Sequence, residues 1–282
     1  MKKYDPFPAQ SQVPHQFDIS TATLHSNEEY GAMDLLSSDT ITAGEYITCA
    51  FEFTAGSNGI FPGGRIQIFT DSDSDWDRPQ VSDPTGPNYL LIESPETVRI
   101  YPHIIDQRSI TLRMVSGRLE PGDKIAVTFG DTSHGGPGTR CQTFYESSIN
   151  FYGATDPDGA SGLRVLDNPT KVRIMGGTIE GGSVHAPSDL LLGRPFRLVV
   201  KSEDRWGNPA EEFNGQVEVK APGLNIDSKL FSMDKSCGGV LVLEGCEFRE
   251  AGASYIEVVF REDGQELVVR SNPIAITEVD VE

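Results

Sequence analysis

The sequence predicts an all-β protein of two tandem β-sandwich domains, the second of them immunoglobulin-like. Short runs of alternating apolar residues recur along the chain, turn residues separate these runs, and the 282 residues include 29 Gly and 18 Pro. Side chains of a strand alternate between the two faces of a sheet, so this pattern is typical of strands with one buried face. A chain of this length has room for two ordinary domains.

The first sandwich is predicted over residues 20–175, behind an N-terminal extension of residues 1–19. Its clearest strand is 44–53, where alternate apolar residues share one face: Ile47, Cys49, Phe51 and Phe53. Residues 123–129 repeat the pattern after the turn Pro121-Gly122. Further strands are expected at 64–70, 96–101, 109–116 and 142–152. A short helix is compatible with residues 27–36.

The second sandwich is predicted over residues 176–282, after a turn-rich patch at 156–162 and glycine pairs at 176–177 and 181–182. Its strands alternate at Phe196, Leu198 and Val200, at Val217 and Val219, at Val240 and Val242, and at Ile256, Val258 and Phe260. With apolar runs at 267–269 and 274–276, this gives about seven strands in about a hundred residues, the size of an immunoglobulin-like sandwich.

Charge and cysteine content narrow the partners and the compartment. The formal net charge of −19 and pI near 4.6 would repel nucleic acid and anionic membranes, so we expect neither as the main partner. The N-terminus has no apolar run typical of a secretory signal. The spacing of the four cysteines favours buried thiols in a reducing cytoplasm, and a bridge between Cys237 and Cys246 across a hairpin is the alternative.

The segment Glu203-Asp204-Arg205-Trp206-Gly207-Asn208-Pro209 follows an apolar strand and ends in three turn-forming residues. It resembles the turn of bacterial immunoglobulin-like domains of the invasin or filamin type. The resemblance implies the fold of the second half and indicates nothing about function.

A wider pattern covers the chain from about residue 20 onward. It consists, in order, of Asp75-Trp76-Asp77-Arg78-Pro79-Gln80, Asp83-Pro84, Pro87-Asn88-Tyr89, Gly130-Asp131-Thr132-Ser133, Gly135-Gly136-Pro137-Gly138-Thr139-Arg140 and the 204–209 turn. Together these segments resemble the N-terminal region of the bacterial domain-of-unknown-function family three-six-zero-four.

In that family, β-sandwich modules precede a domain resembling the PHP metal-dependent phosphoesterase and amidohydrolase folds, which opens with a Trp-Gly-Asp-x-His motif. This sequence ends at Glu282, where the motif would be expected to follow. The family's metal ligands therefore have no matching positions here. The resemblance implies a split-gene subunit, a truncated product or a module that acts alone.

Residue chemistry leads to the same expectation independently. The five histidines include no H-x-H, H-x-x-H or H-E-x-x-H cluster, and the chain has no G-x-S-x-G nucleophile elbow. Ser133 and His134 are neighbours, but neighbours on an extended chain point in opposite directions. We expect the isolated chain to have no catalytic activity and to serve at most as a subunit of a metal-dependent hydrolase-like enzyme.

An acidic loop is a candidate Ca²⁺ site, because alternate carboxylates offer the oxygen ligands that this cation prefers. The candidate ligands are Asp71, Asp73, Asp75 and Asp77. Trp76 stands where an EF-hand loop has its turning glycine, and Ser82 where it has its bidentate glutamate. A solvated acidic loop is the competing interpretation.

A second loop, residues 130–140, is rich in glycine and ends in Arg140, whose guanidinium can clamp a carboxylate or phosphate. A loop that packs on a neighbouring domain is the alternative. Loop tryptophans can anchor a partner, or they can cap a core. The predicted partner-binding or ligand-binding residues are Trp76, Arg78, Asp131, His134, Arg140 and Trp206.

Two functions follow from these expectations. The first is a non-catalytic sandwich module that docks on and supports a separately encoded metal-dependent hydrolase-like subunit in a hetero-oligomer. The alternative is a stand-alone binding protein or small enzyme that uses the loops of the first domain on a sugar or an anionic small molecule.

Overall fold

A computed structural model describes residue 19 and residues 22–70, 74–105 and 109–278. The chain divides into two compact units. The first contains Tyr46–Cys141, Ser148–Val172 and the described residues before Thr40. The second contains Arg173 onward together with Thr40–Glu45 and Gln142–Ser147.

The elements of the first part of the chain are β1 Leu24–His25, α1 Asn27–Tyr30, β2 Ala32–Leu35, β3 Thr40–Thr42, β4 Tyr46–Ile47, β5 Cys49–Thr54, β6 Arg65–Thr70, β7 Leu90–Glu93, β8 Arg99–Ile105, β9 Ser109–Ser116, β10 Lys124–Phe129, β11 Thr139–Arg140, β12 Glu146–Asp156, β13 Arg164–Leu166 and β14 Thr170–Met175. Those that follow are β15 Gly181–His185, β16 Asp189–Leu191, β17 Phe196–Glu203, β18 Gly215–Lys220, β19 Leu224–Asn225, β20 Leu230–Met233, β21 Val240–Phe248, β22 Gly252–Ser254, β23 Glu257–Glu262, β24 Gln265–Arg270 and β25 Ile274–Thr277. The predicted all-β class is confirmed.

Within the described ranges no helix is long and apolar enough to cross a membrane.

The first unit is a sandwich of two sheets. One sheet has the order β2-β5-β10-β7, and the other runs β1-β13-β12-β6-β9-β8. The rings of Phe51 on β5 and Phe151 on β12 lie 5.1 Å apart between their centroids, which places the two sheets face to face. Phe51 and Phe53 are both 1% exposed, and burying each such side chain contributes roughly 1.5–3 kcal/mol.

The second unit is an immunoglobulin-like sandwich. Strands β15-β17-β21-β19 form one sheet and β20-β18-β23-β24 the other, while β16-β25-β22 form a third, three-stranded sheet. Its core is apolar and aromatic, and the rings of Phe196 and Phe248 stack within it at 5.7 Å. The alternating residues predicted on β17, β18 and β23 are buried as expected.

Three local predictions are wrong. The run 44–53 is two strands, because β4 leaves the sheet of β5 and pairs with β11. The candidate helix of residues 27–36 is the single turn α1, since Gly31 at φ +100 ends it and β2 then pairs with β5. On β21, Val242 is 47% exposed while Leu243 is buried, because Leu243 pairs with the buried Leu198 and its neighbour Val242 therefore lies on the opposite face.

Candidate functional site

Two long loops of the first unit, residues 74–89 and 130–140, lie against each other; we call them the paired-loop surface. The amide of Asn88 donates to the carbonyl of Gly138 at 2.8 Å, and that of Asp131 to Tyr89 at 3.0 Å. Farther along, the amide of Asp77 donates to the Arg140 carbonyl at 3.2 Å. Backbone hydrogen bonds thus hold two irregular segments in one arrangement.

Gly130 makes the second loop possible. It has φ +66, and a Cβ added there would lie 2.2 Å from the amide nitrogen of Thr139 and 2.5 Å from the carbonyl oxygen of Ile47. Only glycine tolerates both this conformation and this close approach. The turn sends the chain from the end of β10 into the loop and back to β11.

Arg140 joins the two loops electrostatically. Its Nη2 donates to Oδ1 of Asp77 at 2.8 Å and to the backbone carbonyl of Asp75 at 3.1 Å. Its Nη1 lies 3.7 Å from the Asp75 carboxylate. The hydrogen bond to Asp77, with the charges of both aspartates, raises the pKa of Arg140. The predicted anion clamp therefore already holds two acidic residues of its own chain.

The predicted Ca²⁺ loop is only partly described. Asp71 and Asp73 lie outside the described residues. Asp75 and Asp77 face the Arg140 guanidinium, which supplies the positive charge that a cation would bring. Among the described residues, no group of three or more His, Cys, Asp or Glu side chains is placed to hold a metal ion. The Ca²⁺ site stays a prediction.

Trp76 lies in the core of the first unit. It is 7% exposed, and its indole meets the ring of Phe151 edge to face at 5.9 Å between centroids. Phe51, Phe69 and Phe129 complete an aromatic cluster around a cavity of about 30 Å³, which is room for about one water molecule. The structure thus gives Trp76 the core-capping role, in which it fastens the acidic loop to the sandwich.

Asp131, Ser133 and His134 form a small polar cluster on the second loop. Ser133 Oγ donates to Asp131 Oδ2 at 2.6 Å and lies 3.0 Å from His134 Nδ1. The side chain of His134 is 54% exposed, and its Nδ1 is 3.5 Å from Asp131 Oδ2. The expectation that Ser133 and His134 point apart is wrong, because residues 131–135 form a turn, which the hydrogen bond from the Gly135 amide to the Thr132 carbonyl closes.

The hydrogen bonds of this cluster run in the wrong direction for a catalytic serine, whose hydroxyl would donate to the imidazole. The one hydroxyl proton of Ser133 is donated to Asp131, so Nδ1 of His134 must itself donate to the hydroxyl oxygen. The Ser133 bond is the largest influence that lowers the pKa of Asp131. The geometry therefore fits an ionised, turn-stabilising aspartate beneath an exposed imidazole.

Arg78 is bonded within the first unit. Its Nε and Nη2 donate to the carbonyl of Ile105 at 3.1 and 2.8 Å. Ile105 ends β8, the edge strand of its sheet. Arg78 therefore binds a backbone carbonyl at the end of that edge strand, and its Nε and Nη2 are occupied.

Gln80 is a residue of the surface that the sequence reasoning missed. Its Oε1 accepts from the amides of Ser82 and Asp83, both at 2.8 Å, and its Nε2 donates to the carbonyls of Asp83 at 2.7 Å and Pro87 at 3.2 Å. One side chain thus organises the outer part of the first loop. No local pattern distinguishes this glutamine from one in solvent.

Trp206 belongs to the second unit, on the 204–209 turn. It is 44% exposed, its ring lies under the Arg205 guanidinium at 4.8 Å, and Gly44 leaves space for the indole. Asp204 organises this turn, because its carboxylate accepts from the amides of Trp206, Asn208 and Gly177 at 2.8 to 2.9 Å. Burial by itself would raise the pKa of the Asp204 carboxyl. The hydrogen bonds that it accepts lower the pKa by more, so the net shift is below the ordinary value.

All four cysteines are free thiols, so Cys237 and Cys246 are not bridged. Cys49, Cys141 and Cys246 are buried, and Cys237 is half-buried. Burial raises the pKa of Cys49 to about 12, with Ser37 opposing and Cys141 adding to the effect. A buried thiol of this kind is inert at neutral pH.

Neither a protein-family model nor a curated protein matches this chain. Among solved structures, it is similar to the Yersinia pseudotuberculosis adhesin InvE at 9% identity, with 88% of this chain and 60% of that chain covered and a TM-score of 0.29. It is also similar to the C-terminal domain of the Streptococcus pyogenes antigen I/II-family protein AspA at 9% identity, with 89% and 99% covered and a TM-score of 0.36. A third is the C-terminal domain of the Streptococcus agalactiae AgI/II polypeptide BspA, at 9% identity, 87% and 99% coverage and a TM-score of 0.34.

The chain spans less than two thirds of the InvE structure. At these TM-scores the likenesses carry no argument about function. The resemblance to the domain-of-unknown-function family three-six-zero-four stays a prediction, since no family model matches.

Proposed function

We propose that this chain is a non-catalytic interaction module that presents the paired-loop surface to a separately encoded metal-dependent hydrolase-like subunit. The observation that carries the proposal is the set of bonds between the two loops. Three backbone hydrogen bonds and the Arg140 contacts fix them before any partner arrives. A surface that is already ordered loses little conformational entropy on binding, which favours affinity.

The outer residues of the surface suit contact with another protein. Val81 is 44% exposed, His134 projects from the second loop, and Pro87 and Pro137 are exposed. Rigid scaffolds commonly present function on loops of this kind. The identity of the partner rests on the family resemblance, in which such modules accompany a metal-dependent domain.

The cytoplasm is the proposed compartment. Its support is the set of four free thiols, three of which are buried. Thiols in this state are typical of a reducing environment.

A sugar or anionic small-molecule site has less support. The Arg140 guanidinium is engaged by Asp75 and Asp77, and the Asp131 carboxylate lies beside His134. An anion would therefore meet negative charge at both positions. The cavity under Trp76 is too small for such a ligand.

The test is co-purification of the tagged full chain from its native organism, with partner identification by mass spectrometry. Val81→Arg places a charge on the paired-loop surface, and Val242→Arg is the matched control on another valine of similar exposure (44% and 47%). We expect wild type and Val242→Arg to recover the same protein with a metal-ligating domain, and Val81→Arg to lose it. Recovery of the chain alone, or equal recovery by both variants, would reject the proposal.

A further inference from the structure

The second unit has a groove of its own at the end where the β23–β24 hairpin turns. Its volume is about 440 Å³, within the usual range of about 300–1,000 Å³ for binding sites. Ile179, Phe213, Phe260 and Leu267 supply its apolar lining. The two phenylalanine rings meet edge to face at 5.7 Å and are themselves 3% and 1% exposed, so the floor is rigid.

Gly182 keeps this floor in place. A Cβ at that position would lie 2.8 Å from Cε2 of Phe260. The hairpin wall is equally fixed, because Asp263 at φ +49 and Gly264 at φ +79 form a two-residue turn between the paired residues Glu262 and Gln265. The groove is therefore a preformed feature of the second unit.

The polar lining of the groove is acidic. It includes four carboxylates: Glu180, Glu262, Asp263 and Glu266. Glu266 pairs with Arg261 at 2.6 Å, and Glu262 accepts from the amide of Asn214 at 2.7 Å. Among the described residues, nothing bonds to the carboxylates of Glu180 or Asp263. Two uncompensated negative charges thus flank an apolar floor.

We propose that this groove docks a segment of a partner protein that presents lysine or arginine beside aliphatic residues. A basic head group would lie between Glu180 and Asp263, where opposite charge is lacking. The aliphatic residues and the alkyl stem of the basic side chain would cover the half-buried Ile179 and Leu267. This second surface goes beyond the paired-loop surface and does not depend on it.

The probe is a short synthetic peptide of lysine and leucine in which residues of both types share one face, titrated into the full chain and followed by fluorescence anisotropy of a label on the peptide. The test variant is Glu180→Gln with Asp263→Asn. The change at residue 263 is compatible with its φ of +49, because asparagine tolerates a positive φ. The matched control is Asp227→Asn with Glu250→Gln, an equal change in net charge. Gln216, near the start of β18, pairs with Arg261 close to the hairpin, and Lys220, at the end of β18, pairs with Glu257. Asp227 and Glu250 lie beyond the Lys220 end of β18, away from the hairpin.

We expect the test variant to weaken binding about fivefold, since two exposed pairs together account for roughly that factor, and the control variant to bind as wild type does. The same peptide with serine in place of each leucine, and spermidine, should each bind more weakly than the lysine–leucine peptide. Equal weakening in both double variants, equal binding of spermidine or the serine peptide, or no binding at all would overturn the proposal.

Discussion

Arg140 and Asp77, 63 residues apart in the sequence, are joined by a 2.8 Å hydrogen bond between Nη2 and Oδ1. The arginine ends one loop of the paired-loop surface and the aspartate lies near the start of the other. This hydrogen bond therefore holds the two irregular segments together as one surface.

Removing Arg140 should loosen that surface without unfolding the protein. We expect Arg140→Ala to lower the free energy of unfolding by about 1 kcal/mol, the upper end for a pair near the surface, because its side chain is only 24% exposed. Amide hydrogen exchange should rise in residues 74–89. Arg197→Ala, which breaks the well-exposed pair with Glu244, is the control and should change neither quantity.

Truncation of the two tryptophans should lower the free energy of unfolding by very different amounts. Trp76→Ala leaves a cavity among aromatic side chains and should cost about 3–5 kcal/mol of unfolding free energy. Trp206→Ala, at 44% exposure, should cost less than about 1 kcal/mol. Urea titrations of the two variants measure the difference. Comparable losses would mean that Trp76 does not fill the core.

The Asp204 turn predicts a specific response to acid. The pKa of Asp204 is lowered in the folded state, so its contribution to stability is complete above the ordinary carboxyl pKa of about 3.9. That contribution is lost as the pH falls through the lowered folded-state value. Asp204→Asn cannot keep all the accepted bonds and should cost about 2 kcal/mol at neutral pH.

Unfolding titrations at a series of pH values measure this difference between Asp204→Asn and wild type. The gap should be constant at neutral pH and should shrink only below the ordinary carboxyl range. A gap that widens with acid would contradict the role assigned to the carboxylate.

Much of the fold follows from alternation alone, because a strand with one buried face must repeat with period two. Phe51, Phe53, Val217 and Val258 are buried as that rule requires. The rule fails at Val242, because Leu243 pairs with the buried Leu198 and takes the core face of β21, and the register that decides this is a property of the pair of strands.

Less of the candidate site can be predicted from the sequence. The glycines of residues 130–140 do indicate a tight, unusual loop, as Gly130 shows. The partner of Arg140 lies on a distant segment, however, and the burial of Trp76 depends on Phe151 from β12. Contacts between segments so far apart are set by the folded topology, which local composition does not contain.

Millimolar Ca²⁺ should raise the melting temperature no more than Mg²⁺ does. Asp75 and Asp77 already share the positive charge of Arg140, and only a specific site stabilises the native state by mass action. Thermal melts of the full chain with each cation test this. A Ca²⁺-selective rise that disappears in Asp73→Ala would establish the predicted metal site.

The thiols should differ sharply in reactivity. In the native protein at mildly alkaline pH, we expect only Cys237 to react rapidly with a disulfide reagent, because the other three are buried. All four should react in denaturant without prior reduction. Fewer than four reactive thiols in denaturant would reveal a disulfide.

The most direct measurement of the central claim is amide hydrogen exchange on the complex between this chain and the partner recovered by co-purification. Binding through the paired-loop surface should slow exchange in residues 74–89 and 130–140, while β17 and β21 of the second unit exchange as in the free chain. Protection confined to other segments, or no protection in either loop, would contradict the claim that these loops form the docking surface.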